Sequence, residues 1–86
     1  MRKAKPKKVA ARSATAIDAY IGARMRERRL ALNMSQAQLS KELGVSFQQI
    51  QKYETGVNRV SAARLFEICK VLNVSLASMF ERDPKV

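Results

Sequence analysis

Two serines eleven residues apart, Ser35 and Ser46, each stand three positions ahead of a glutamine, Gln38 and Gln49, and Gly44 falls between the two pairs. A serine followed at that distance by glutamine is a reciprocal helix cap. The hydroxyl accepts from the backbone N–H three residues on, while the glutamine amide reaches back to the serine's own N–H. Each pair therefore predicts a helix start. Leu39 and Leu43, four apart, and Ile50 and Tyr53, three apart, supply each helix with a narrow apolar stripe. Gly44 can take the positive φ at which a helix stops and the chain turns sharply. The stretch 35–56 is expected to form two short helices crossing steeply over a tight turn.

What surrounds this stretch limits its company. Eighty-six residues allow one small domain, with a single core and a net stability of only a few kcal/mol. Seventeen Lys and Arg against seven Asp and Glu leave a net charge of +10, which draws the chain towards polyanions such as nucleic acid or an anionic membrane surface. The excess is uneven. Arg2, Lys3, Lys5, Lys7, Lys8 and Arg12 place +6 of the +10 in residues 1–15, which hold no acid and almost nothing to bury. Such a segment is expected to be disordered when alone. It serves either as a solvated tail or as an arm along DNA phosphates or in the minor groove, with an affinity that collapses in salt. Residues 16–82 are expected to fold, and 83–86, with Pro84, to fray.

No apolar run reaches membrane-spanning length, and the basic start is followed by alanine, serine and threonine where a secretory signal would need an apolar segment. The single cysteine, Cys69, lies in an apolar stripe and is expected to be a small buried residue in a reducing compartment. A cytoplasmic, nucleoid-associated location follows as the expectation, and the sequons at Asn33 and Asn73 are read as turn residues ahead of helix caps.

Around the central pair, a first helix is expected from Ala16 or Asp18 to Leu32, with Ile21, Met25 and Leu32 facing inward. Arg24, Arg26, Arg28 and Arg29 crowd its other faces, and all but Arg29 are expected to be solvated or loosely phosphate-facing. In the second helix Ala37 and Leu39 read as packing, with Ser40, Lys41 and Glu42 on the solvated side. Ser61 caps a fourth helix whose Leu65, Ile68, Cys69 and Leu72 fall at i, i+3, i+4 and i+7. Asn73 ends that helix and Ser75 is expected to cap a short fifth one, where Leu76, Met79 and Phe80 either close the core or face a second subunit.

Two helices so joined are a helix-turn-helix. The residues SQAQLSKELGVS, then Ile50, Tyr53-Glu54 and Gly56, resemble the Cro/C1-type (XRE-family) regulators of phages and bacteria, over about residues 18 to 82. The resemblance implies an all-α, compact five-helix Cro/C1 repressor-like DNA-binding domain behind a disordered basic N-terminal arm. It also implies an ion pair between Arg29 and Glu54, a structural pair that is costly to break from one side. Gln36, at the N-terminus of the second helix, gains a phosphate contact from the same resemblance, as do Asn58 and Arg59 in the loop after Gly56; Ser46 is a further phosphate candidate.

The helix from Phe47 to about Thr55 is the expected recognition helix. With Ser46 as cap, Ile50, Tyr53 and Glu54 face the first two helices and Phe47, Gln48, Gln49, Gln51 and Lys52 face outward. Helices of this motif enter the major groove with their first turn towards the bases, and the family's base-reading positions fall there too. The Gln48 amide suits N6 and N7 of adenine, Lys52 suits N7 and O6 of guanine, and Phe47 offers an apolar edge to a thymine methyl unless it packs against the turn. Gln49 either reads a base or folds back on Ser46 to close the capping box.

The chain has no histidine, one cysteine, and three isolated glycines, so general acid–base work, a metal cluster and a phosphate-cradling loop all lack their usual residues. No enzyme activity, cofactor or metal is expected. The leading expectation is a sequence-specific double-stranded DNA-binding transcriptional regulator, a repressor acting as a homodimer on an inverted repeat. The alternative is an antitoxin-type protein that binds a toxin partner and controls its own promoter, and a third is nonspecific nucleoid coating.

Overall fold

Each α-helix of the fold begins at a hydroxyl residue: Thr15, Ser35, Ser46 and Ser61 each accept from the backbone N–H three residues ahead. The computed structural model describes residues 15–81. The expectations for the basic arm over 1–14 and for the tail over 83–86 lie outside the described residues. Behind the four caps run α1 (Ala16–Ala31), α2 (Gln36–Leu43), α3 (Phe47–Thr55) and α4 (Ala62–Leu72), followed by a 3-10 turn at Ala77–Phe80. Thr15, counted with the arm in the sequence reading, is the α1 N-cap, and with Asp18 it forms a complete capping box. Gly44 and Gly56 end α2 and α3 at φ of 73° and 81°, and Asn73 ends α4 at 58°, so all three take the left-handed conformation that stops a helix.

One core joins these elements. Ile21 and Met25 of α1, Leu39 of α2, Ile50 of α3, and Leu65, Ile68, Cys69 and Leu72 of α4 are buried together with Met79 of the closing turn. Burial pushes the Cys69 thiol above its ordinary value, as befits a small apolar residue. The backbones of α1 and of the end of α3 approach closely. A Cβ on Gly22 would strike the Tyr53 carbonyl oxygen and lie 2.7 Å from that of Glu54, and one on Gly56 would lie 2.7 Å from Ala19 Cα. Only glycine lets these backbones meet.

Several expectations are corrected. The described residues contain four α-helices, not five. After Asn73 the described residues close with tighter i→i+3 bonds, Ser78 N–H to Ser75 O and Met79 N–H to Leu76 O at 3.1 Å each, which make a 3-10 turn in place of the expected helix. Leu32 is not inward. The helix stops at Ala31, and Leu32 is the cap, 37% exposed, because no further turn carries the stripe across. Ala37 is exposed, whereas Ser40 is buried with its hydroxyl donating to the Ala37 carbonyl at 2.8 Å. Arg24 and Arg28 are not simply solvated: Arg24 Nη2 donates to Ser78 O at 2.6 Å and Arg28 Nε to Leu72 O at 3.0 Å. Arg28 thus meets carbonyls at the end of α4, where the helix dipole favours a cation, while Arg24 ties α1 to the closing 3-10 turn.

Candidate nucleic-acid interface

The outward face of α3 is defined by what holds its inward face. Ile50 is fully buried, Glu54 is 6% exposed and Tyr53 is half-buried. Residues three and four apart share a helix face, so the opposite side presents Phe47, Gln48, Gln51 and Lys52, all exposed. Phe47, for which the sequence left packing and reading both open, is 43% exposed. Gln48, Gln51, Lys52 and Thr55 line an open notch together with Gln36 from the first turn of α2.

Behind this face sits a buried charge network. Arg29 Nε and Nη2 donate to the two carboxylate oxygens of Glu54 at 2.7 and 3.0 Å, a bidentate pair, while Arg29 Nη1 donates to the Met34 carbonyl at 2.8 Å. Gln36 Nε2 adds a bond to Glu54 Oε1 at 3.0 Å. The pair fixes the second half of α3 against α1, and Gln36 ties the start of α2 to the same carboxylate.

The N-terminal turn of α3 departs from the capping-box expectation. Ser46 Oγ accepts from the Gln49 N–H at 3.0 Å, but the Gln49 side chain does not return to Ser46. Its Nε2 donates instead to Asn58 Oδ1 at 3.3 Å, because the loop leaving α3 folds back within reach. The Asn58 N–H in turn donates to the Lys52 carbonyl at 3.1 Å. Arg59, the next residue, donates from Nε to Asp18 Oδ2 at 3.1 Å, with its own side chain 46% exposed. Asp18 is 8% exposed. Burial alone would raise its pKa, yet hydrogen bonds from the Thr15 backbone and hydroxyl and from Arg59, with the charge of Arg59, hold it below the ordinary carboxylate value.

The structure therefore brings Gln36, Phe47, Gln48 and Lys52 to one side of the α2–α3 corner, sets Ser46 exposed at its edge, and turns Gln49 towards Asn58. Three participants were not singled out from sequence. Gln51 was left among the outward residues without a role, although its place three after Gln48 puts it on the same stripe. Asp18 was signalled locally by Thr15 three residues before it, whereas its bond to Arg59 spans the chain. Gly22 carried no local signal at all. Among the described residues no cluster of His, Cys, Asp and Glu is placed to hold a metal, and no helix is long and apolar enough to cross a membrane.

Comparison with known proteins agrees with this geometry. A family described as helix-turn-helix matches residues 25–79. An uncharacterized HTH-type transcriptional regulator of Sinorhizobium medicae is 53% identical over 68 residues, covering 79% of this chain and 49% of the relative. The cryptic phage CTXphi transcriptional repressor RstR of Vibrio cholerae is 32% identical over 59 residues, covering 69% of this chain and 53% of RstR. Among solved structures, the restriction-modification controller protein C.AhdI of Aeromonas hydrophila superposes with a TM-score of 0.72 at 26% identity, covering 77% of this chain and all of the other. The chain spans about half the length of the curated relatives it matches. A helix-turn-helix matched over most of the folded residues, in relatives more than half identical to it, places the chain in the XRE-type helix-turn-helix family.

Proposed function

We propose that this chain is the DNA-reading part of a transcriptional regulator, which binds double-stranded DNA with α3 in the major groove. The observation that carries this reading is the division of α3 into two faces. Ile50, Tyr53 and Glu54 anchor one, while Phe47, Gln48 and Lys52 stand exposed on the other, with Gln48 and Lys52 one turn apart. Gln48 would read adenine, Lys52 guanine and Phe47 a thymine methyl. Gln36, Ser46, Asn58 and Arg59 would meet phosphates on either side, which sets register without carrying sequence. The names of the relatives support regulation of transcription, and that of RstR supports repression. A homodimer on an inverted repeat, with half-sites about one helical turn apart, acting at the cytoplasmic nucleoid, completes the proposal.

The test is selection of bound duplexes from a random-sequence pool at near-physiological salt. Enrichment of an inverted repeat is the expected result. Retention of DNA with no enriched sequence would refute base reading and leave a nonspecific coat, and retention of no DNA would refute the function as a whole.

A further inference from the structure

The loop leaving α3 is held at three points. Gly56 presses on Ala19, leaving no room for a Cβ. Asn58 is tied to α3 twice, through its N–H to the Lys52 carbonyl and through Oδ1 to the Gln49 amide. Arg59 is tied to Asp18 at the start of α1. Of these ties, the one from Gln49 is the only side-chain bond among them that starts on the first turn of α3, between the outward residues Gln48 and Lys52.

We propose that Gln49 is a positioning residue and not a base reader. Holding Asn58, it sets the offset between the loop 57–59 and the exposed side chains of Gln48 and Lys52, so that phosphates and bases are met in one register. The inference rests on the DNA-reading role proposed above. Its physical basis is preorganisation: a loop already held where it must bind loses less conformational freedom on contact. One neutral hydrogen bond in a half-exposed place contributes little to folding, so its loss is expected to appear in DNA binding more than in stability.

The experiment compares the unaltered chain with Gln49→Ala, Asn58→Ala and the double variant, by fluorescence anisotropy on the selected duplex and on a scrambled one across a salt series. Gln49→Ala is expected to bind both duplexes about threefold to tenfold more weakly, the loss of one modest hydrogen bond. The slope of log affinity against log salt should flatten by about one phosphate contact. The double variant should be no weaker than Asn58→Ala alone, and selection with Gln49→Ala should enrich the unaltered chain's sequence. A changed base preference at one position, losses that multiply in the double variant, or an unaffected affinity would each overturn the proposal. Melting is followed for every variant. Should alanine destabilise the fold, Gln49→Met keeps the stem, removes only the bond, and has to give the same pattern. An unaltered chain that binds both duplexes equally would overturn the underlying DNA-reading role, and it would do so before any variant is compared.

Discussion

Replacing Glu54 with alanine should be among the most damaging single changes in this chain. The Glu54 side chain is 2% exposed and that of Arg29 is 7% exposed. The substitution deletes both bonds of the bidentate pair, at 2.7 and 3.0 Å, and the 3.0 Å bond from Gln36, leaving Arg29 with the Met34 carbonyl alone. Breaking one side of a buried pair costs about 3–5 kcal/mol, because the remaining charge stays desolvated. The lower figure applies here, since half-buried Gln36 can turn to water. With a denaturant slope near 1 kcal/mol per molar for so small a domain, a loss of about 3 kcal/mol moves the urea midpoint down by about 3 M, most of what a domain of this size has. The control is Arg29→Met with Glu54→Leu, which removes both charges and should recover most of the loss. Urea titration followed by circular dichroism reads all three proteins. A Glu54→Ala midpoint within about 1 M of the unaltered chain's, or a double variant no more stable than the single one, would refute the argument that uncompensated burial sets the cost.

Gly22→Ala should cost more than Gly44→Ala. The first drives a Cβ into the Tyr53 and Glu54 carbonyls, at about 1–3 kcal/mol or above, whereas the second meets nothing within 4 Å and suffers only the strain of a φ of 73°, about 1 kcal/mol; thermal melts giving the opposite order would contradict the close α1–α3 approach. Asp18 carries a pH signature. Its folded pKa lies below its ordinary value of 3.8, so its contribution is complete above that value and is lost as pH falls through the lower folded one. Asp18→Asn should therefore be less stable than the unaltered chain near neutral pH and lose less further stability on acidification, and parallel acid melting curves would exclude the effect. Gln48→Ala or Lys52→Ala should weaken binding to the selected duplex by about 1–3 kcal/mol while sparing a scrambled one; equal losses on both would remove these residues from base reading.

Local chemistry was legible in the sequence. Ser35, Ser46 and Ser61 cap where hydroxyl residues ahead of apolar stripes are expected to, and Gly44, Gly56 and Asn73 stop helices as expected of residues that tolerate positive φ. The stripe from Leu65 to Leu72 is buried throughout. What stayed hidden depends on contacts between distant parts of the chain. No periodicity announces that Gly22 lies under Tyr53, that Arg24 reaches the closing turn and Arg28 the far end of α4, or that Asp18 meets Arg59 forty-one residues on. Gln49 shows the same limit at short range, because two satisfactory partners, the Ser46 backbone and Asn58, lay within reach and only the path of the loop chose between them. At the interface, the outward face of α3 could be read from spacing alone, while the ties holding the loop beside it could not.

The two faces of α3 have a consequence for how proteins of this shape diverge. The side chains that pack α3 against the rest of the fold are those of Ile50, Tyr53 and Glu54, whereas the side chains of Phe47, Gln48, Gln51 and Lys52 stand exposed. Substitutions on the outward side are therefore nearly neutral for folding, of the order of 0.5 kcal/mol either way. If α3 reads DNA as proposed, a descendant of this chain could exchange one target sequence for another by drift on these surface positions, inheriting its scaffold intact, so that recognition would be the part of the molecule most open to evolution.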